Sequence, residues 1–551
     1  MRRLFYTLLY ICVVHGVCYA QFPFAFCTSP KYETRAVWIT TYGSLDWPHE
    51  KAVSSEGIEA QKAELCRMLD RLEAARFNTV LLQTRIRGTV IYPSAIEGWD
   101  ECLTGTAGRS PGYDPLAFAV EECHKRGMEL HAWVVAVPYV KGTNPPAAQR
   151  AISVKLDGKW NLDPGRPETA TYLARICKEI VSCYDVDGIH LDYMRYPDNA
   201  KRFNDKASYA KYGGRRRKAD WRAENITRCV GEIYKAVKEI SPWVKVSSAP
   251  LGKRKSLSRF SSGGWDGTAV YQDPKRWFDL GIHDMVFPML YFRGNHFFPF
   301  LADWGEIAGG RPVVAGLGAY FLSKEEKDWP LQDVTRELSY TRFLQLGGQA
   351  YYRYKYLDEN HKGLYDFLSW FFYSAPSLPA RCWNGLRKRP EAPKNVRLVE
   401  TDSVLALCWD AVSGMRYNVY AGYGTVDTDD GSSLVAIGVE SERYVLSSAS
   451  RLCRDMRLAV TSYDRYGNES NAVEVAFGDT VFGLRHDDRT LWLEGVPSDK
   501  SVIRITDAAG RLVLTTAYSA EVCIELLPKG FYVVECVWGE GVRPLGYFVK
   551  A

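Results

Sequence analysis

Asp187-Gly188-Ile189-His190-Leu191-Asp192-Tyr193-Met194-Arg195-Tyr196-Pro197 is a short apolar run that ends in an acid and gives way to aromatics and an arginine. In a strand successive side chains alternate faces, so His190 and Asp192 project to one side and Ile189 and Leu191 to the other. An acid at the last position of such a strand stands at the carboxyl end, where parallel barrels carry their chemistry. Asp192 is therefore the first catalytic candidate.

Outward from this strand, short β-branched runs alternate with amphipathic helical stretches eight times between Arg35 and about Phe371. The expected strands are Ala36–Thr40, Thr79–Thr84, Glu129–Val134, Gly188–Asp192, Val244–Ala249, Met285–Met289, Val313–Leu317 and Gln349–Tyr352. Helical spacing is clearest at Glu56–Arg76, where Ile58, Leu65, Leu69 and Leu72 share a stripe, and at Asp333–Leu346, with Val334, Leu338 and Phe343. Parallel strands need crossover helices, and eight of them enclose an interior that side chains can fill. The pattern predicts an α/β fold, a (β/α)8 TIM barrel over residues 31–385. A doubly wound open sheet is the rival. Against it, Thr40-Thr41-Tyr42-Gly43-Ser44 after the first strand lacks the glycine spacing of a dinucleotide-binding loop.

A chain of 551 residues is too long for one core and implies three or so domains. With 34 Tyr and 16 Trp it is rich in aromatics, which suits carbohydrate faces and ordinary packing alike. A net charge of +5 is small for this length, and Arg215-Arg216-Arg217-Lys218 reads as a solvated loop, so no nucleic acid partner is expected. Residues 1–20 carry Arg2-Arg3, an apolar run from Leu4 to Val14 and a small residue at Ala20, which reads as a secretory signal peptide. Val17 before Cys18 does not fit a lipid-attachment site, and no later segment offers about 18 uninterrupted apolar residues, so no transmembrane segment is expected. The expected location is outside the cytoplasm: periplasm, cell surface or medium. Fourteen cysteines, without paired metal-ligand spacing, give no metal site, and no cofactor is expected.

After Trp383 a Pro-bearing, charged connector leads into short alternating strands. Within residues 390–477, Leu405-Ala406-Leu407-Cys408-Trp409, Tyr417-Asn418-Val419-Tyr420 and the Leu458–Ser470 run with its Asp464-Arg465-Tyr466-Gly467-Asn468 turn resemble strands of a fibronectin type III domain. Residues 480–551, with Val502–Val513 and Leu527–Val534, resemble the C-terminal sorting domain of type IX secretion cargo, which implies contact with a secretion machinery. A small β-sandwich without an export role would show the same alternation.

The barrel itself resembles the glycosyl hydrolase-like 10 family from Glu33 to about Trp304. The motifs that carry the likeness occur in order: Glu33–Trp38, Phe77–Arg85, Tyr113-Asp114-Pro115-Leu116, Arg126–Trp133, the fourth-strand stretch quoted above, Trp221-Arg222-x-x-Asn225, Ser247–Gly252 and Phe287–Phe292. Where the family commonly has an aspartate pair in the fourth motif this chain has Asp192-Tyr193, and Met289 and Phe292 stand where Gln and Trp are commoner. The resemblance implies a glycoside hydrolase whose polysaccharide substrate is bacterial cell-wall glycan.

Glycoside hydrolysis uses two carboxyl groups, one protonated and one ionised. Asp192 is expected to be the ionised member, kept charged by His190 and Arg195. Asp273, in the loop after the fifth strand, is preferred as the acid, with Glu224, on the helix after the fourth, as its alternative. Substrate contacts are expected from Arg35, Trp38, Gln83, Arg85, His131, Trp133, His190, Arg195, Trp221 and Tyr291. A non-catalytic glycan-binding platform is the other class of reading. An esterase is a third, but the barrel has no GxSxG elbow.

Overall fold

A computed structural model describes residues 29–141, 145–381, 389–401, 404–423, 425–446, 456–476, 483–494, 502–507, 510–538 and 541–550. The expected signal peptide lies outside the described residues. Two compact units divide at Leu386/Arg387.

In the first unit the eight barrel strands are β1 (Thr34–Ile39), β2 (Thr79–Arg85), β3 (Glu129–Val135), β4 (Gly188–Asp192), β5 (Lys245–Ala249), β6 (Met285–Val286), β7 (Val314–Leu317) and β8 (Gly348–Tyr351). They pair in parallel in the order β6-β5-β4-β3-β2-β1-β8-β7. Isolated bridges Val286↔Val313 and Met289↔Gly316 connect the ends of the strand path, so the barrel is nearly closed, thin at that seam. Pro288 explains the thinness: it has no N–H to offer a ladder, and β6 ends two residues before it instead of at Met289.

Helices α1 (Ser55–Ala74), α2 (Pro115–Lys125), α3 (Pro167–Cys183), α4 (Lys218–Ile240), α5 (Pro274–Asp279), α6 (Phe298–Ile307) and α7 (Leu331–Phe343) follow the first seven strands. Side-chain alternation divides the hydrophobic residues between two cores. Val37, Val80, Leu82, Ile189 and Leu191 pack outward against the helices. Ala36, Trp38, Leu81, Trp133, Ala249, Phe287 and Ala350 fill the barrel interior.

Between β3 and α3 the chain inserts a small antiparallel sheet, Pro138–Lys141 with Lys159–Leu162 and Ser153–Leu156. Its tight turn is made by Asp157 and Gly158, both at positive φ (48° and 76°), a pairing that favours two-residue hairpins.

The second unit is all-β. Lys394–Thr401, Val404–Asp410 and Arg443–Leu446 form one sheet, and Leu434–Val439, Arg416–Tyr423, Met456–Tyr463 and Val473–Ala476 another, with Leu407, Trp409, Tyr417, Val419 and Val460 packed as one core. A second pair of sheets, from Gly483 to Lys550, encloses Leu491, Leu493, Ile503, Ile505, Val522 and Val534.

Candidate active site

Register sets the height of each inward side chain. On β3 and β4 the pairs His131↔Gly188, Trp133↔His190 and Val135↔Asp192 climb toward the carboxyl end. Gly188 leaves the space that His131 fills, since a Cβ there would lie 2.5 Å from the imidazole. His131 thus sits low in the barrel, bonded through Nε2 to Glu129 (3.1 Å), and Glu129 is paired in turn with Lys245. One layer higher, the Trp38 indole donates to His190 Nε2 (3.1 Å) and His190 Nδ1 contacts Ser247 Oγ (3.0 Å). Accepting at Nε2 makes His190 the neutral, Nδ1-protonated tautomer, and burial drives its pKa well below the ordinary value. It therefore supplies no positive charge to Asp192, contrary to the expectation above.

Asp192 crowns this column. Trp133 Nε1 donates to its Oδ2 (3.2 Å) and the Tyr193 N–H to its Oδ1 (2.7 Å). Tyr193 turns the chain sharply, at φ 50°, a conformation costly for a bulky residue and tolerated at sites where geometry matters. Asp192 as a whole is 6% exposed. Burial raises its pKa, and the opposing pull of Arg195, the two N–H donors and Arg87 does not restore the ordinary value. The protonated form is favoured relative to an exposed aspartate.

Three half-buried tyrosines from the loops after β6, β7 and β8 complete this face: Tyr291 stacks on Tyr352 (5.7 Å between ring centres), and Tyr320 meets both edge-on at 5.8 and 6.0 Å. Burial and the Asp192 carboxylate push Tyr352 up to about 12, so it stays a phenol and a donor. Beside Asp192, between the fourth-strand loop and the inserted sheet, lies an open cleft of about 210 Å³ lined by Tyr193, Arg195, Asp198, Tyr139, Trp160 and Arg87, among others.

Among the expected contacts, Trp133, Arg195 and Tyr291 stand around Asp192, with Trp38 and His190 beneath. Others are placed elsewhere. Arg35 is at the opposite end of the barrel, bonded to Glu33 (2.9 Å), Ala375 O and Ser377 Oγ. Gln83 accepts the backbone N–H groups of Thr41 and Tyr42, fixing the loop after β1. Arg85 is fully buried, donates two hydrogen bonds to the Glu97 carboxylate (2.8 and 2.6 Å) and also donates to Val135 O and Ala136 O. Trp221 lies on α4, wedged between Tyr209 and Gly165. Asp273 caps α5 by accepting from Arg276 N (3.2 Å), and Glu224 pairs on the outer helix surface with Arg276 (3.1 Å). Both are thus engaged by Arg276, one at the start of α5 and one on the flank of α4.

Tyr193, Tyr320, Tyr352, Arg87 and Trp160 were not foreseen. Asp157-Gly158 was the sequence signal for the hairpin that carries Trp160, and the tyrosine-rich run Tyr351–Tyr356 was the signal for the end of β8.

Residues 33–303 match the glycosyl hydrolase-like 10 family. Glycosyl hydrolase YngK of Bacillus subtilis is 29% identical over 498 residues, covering 84% of this chain and 96% of that protein. Glycosyl hydrolase DigH of Escherichia coli is 31% identical over 367 residues, 59% of this chain and 84% of that protein. Among solved structures, the PgaB glycoside hydrolase domain of Bordetella bronchiseptica is similar with a TM-score of 0.43 and 13% identity, over 61% of this chain and 98% of that one.

Proposed function

We infer that this chain, which belongs to the glycosyl hydrolase-like 10 family, hydrolyses O-glycosidic bonds of a polysaccharide at the carboxyl face of its barrel. The observation that carries the reading is the desolvated Asp192 carboxyl, ringed by Trp133, Tyr193, Tyr291 and Tyr352. A carboxyl that burial makes hold its proton more tightly than an exposed aspartate suits the general acid that protonates a leaving glycosidic oxygen. Asp192 therefore takes the acid role and not the ionised role expected from sequence. On the same face Asp46 is locked by Arg353, Thr40 N and Lys355 N, whereas Asp198 is exposed at the cleft. Asp198 is our candidate for the carboxylate that activates water. Tyrosine faces offer apolar platforms to the C–H faces of pyranose rings.

The polymer we propose is bacterial cell-wall glycan, met outside the cytoplasm after export through the signal peptide. In the second unit, residues 390–477 act as a fibronectin type III-like spacer, a reading supported by their facing three- and four-stranded sheets. Residues 480–551 serve as the sorting domain for secretion. Incubating the full chain with peptide-free cell-wall glycan is expected to yield shortened oligosaccharides by mass spectrometry; intact strands would refute the substrate assignment.

A pH effect follows from the Trp133 contact. Trp133→Phe removes an N–H that stabilises the ionised form, so the Asp192 pKa rises further. Because the protonated acid is the active form, the alkaline limb of kcat/KM is expected to move to higher pH. A shift to lower pH would contradict the acid role.

A further inference from the structure

Among the described residues, three buried donor atoms on residues that line the cleft have no hydrogen-bond partner: Arg195 Nε, Arg195 Nη1 and Trp160 Nε1. Arg195 is only 5% exposed. An unsatisfied buried N–H is costly, most of all on a charged group, so a buried arginine kept this way beside an open cleft points to an acceptor that arrives from outside. Tyr193 lies under the guanidinium at 4.1 Å and holds its plane against the cleft wall.

The charges facing the cleft give the acceptor a sign. Arg87 and Lys159 join Arg195 on its lining. Of the carboxylates there, Asp157 is bound to Arg202 (2.7 Å) and Asp198 stands 3.8 Å from Arg195 Nε, beyond hydrogen-bond reach. Behind the lining, Asp192 is the desolvated acid described above. The rings of Trp160 and Tyr139 add an apolar wall wide enough for a sugar face.

We propose that this cleft is a recognition subsite for a sugar unit bearing a free carboxylate, which Arg195 and the Trp160 indole N–H bind while Arg87 and Lys159 attract it. The proposal rests on the glycosidase reading in one respect: the carboxylated sugar would lie next to the bond presented to Asp192. A charge-assisted bond from a buried guanidinium discriminates against an uncharged analogue, because loss of the acceptor leaves the donors unpaired again.

The test measures binding by calorimetry to the Asp192→Asn full chain, which removes turnover from the measurement, and hydrolysis with the unmodified chain. Three probes are used: peptide-free cell-wall glycan oligomers, whose carboxylate is ether-linked; the same oligomers with that group reduced to an alcohol; and oligogalacturonate, whose carboxylate is on the ring. Reduction is expected to weaken binding at least tenfold. Arg195→Gln should abolish the difference, and Trp160→Phe, which keeps the ring and loses the N–H, should narrow it severalfold. The second variant guards against misfolding at the buried arginine. Preferential binding of oligogalacturonate would keep the subsite and move the carboxylate onto the ring. Equal binding of intact and reduced oligomers, binding of none of the three, or discrimination unchanged in both variants would overturn the proposal. Discriminating binding without hydrolysis would instead remove the glycosidase reading and leave the subsite standing, and hydrolysis without discrimination would do the reverse.

Discussion

Asp192→Asn is expected to lower kcat on a cleaved glycan by on the order of 10³-fold, the usual share of a positioned general acid. The amide is nearly isosteric and its carbonyl oxygen still accepts one of the two N–H groups, from Trp133 or Tyr193, that hold the carboxyl now. Binding should therefore change little, so that the loss falls on kcat and not on KM. Stability should be kept or increased, because the substitution removes an ionisable group from a site where burial disfavours its charge. Initial rates and denaturant midpoints on the same preparations check both halves; a KM effect alone would mean that residue 192 only binds.

The second large effect is structural. Glu33, at the amino end of β1, is buried between Arg35 (2.9 Å) and Arg342 (2.7 Å) and also accepts from Gln349. The two guanidiniums hold its carboxyl below the ordinary range despite burial. Glu33→Gln keeps the volume but removes the negative charge that faces both buried guanidiniums. Removing one partner of a buried ion pair costs about 3–5 kcal/mol, and a loss of that size is expected in the denaturant-unfolding free energy of the chain. The wild-type contribution is present above the unfolded carboxyl value and fades as pH falls through the lower folded one, so the gap between wild type and variant should close in acid. KM of the folded variant should be unchanged. A KM effect without destabilisation would return Arg35 to the substrate site, where sequence reasoning had placed it.

That misplacement shows what alternation along a strand can and cannot tell. The fold was legible because each parallel strand is a buried run bounded by polar residues, and Asp192 was legible because it is the last residue of its run. Alternation gives the face of a side chain, and height along the barrel comes only from register. His131 and Trp133 share a face, yet the pairing with Gly188 and His190 puts the first at the floor and the second beside Asp192. Arg35 falls on the other face altogether, with Val37 and Ile39 toward the helices. Asp273 carried a readable warning, since aspartate followed by proline marks a helix start, and its carboxylate does cap α5. The raised pKa of Asp192 was beyond the sequence: it comes from burial, which overrides Arg195 and the Trp133 and Tyr193 N–H groups, and burial at a strand end is set by loops that come from elsewhere in the chain.

The most direct test is a crystal structure of the Asp192→Asn protein with a bound cell-wall glycan oligomer. The account predicts a glycosidic oxygen within about 2.6–3.2 Å of the side chain at position 192, with a sugar ring against Tyr291 or Tyr352. A glycan seated elsewhere, with position 192 still covered by Trp133 and Tyr193 and touching no sugar atom, would contradict it.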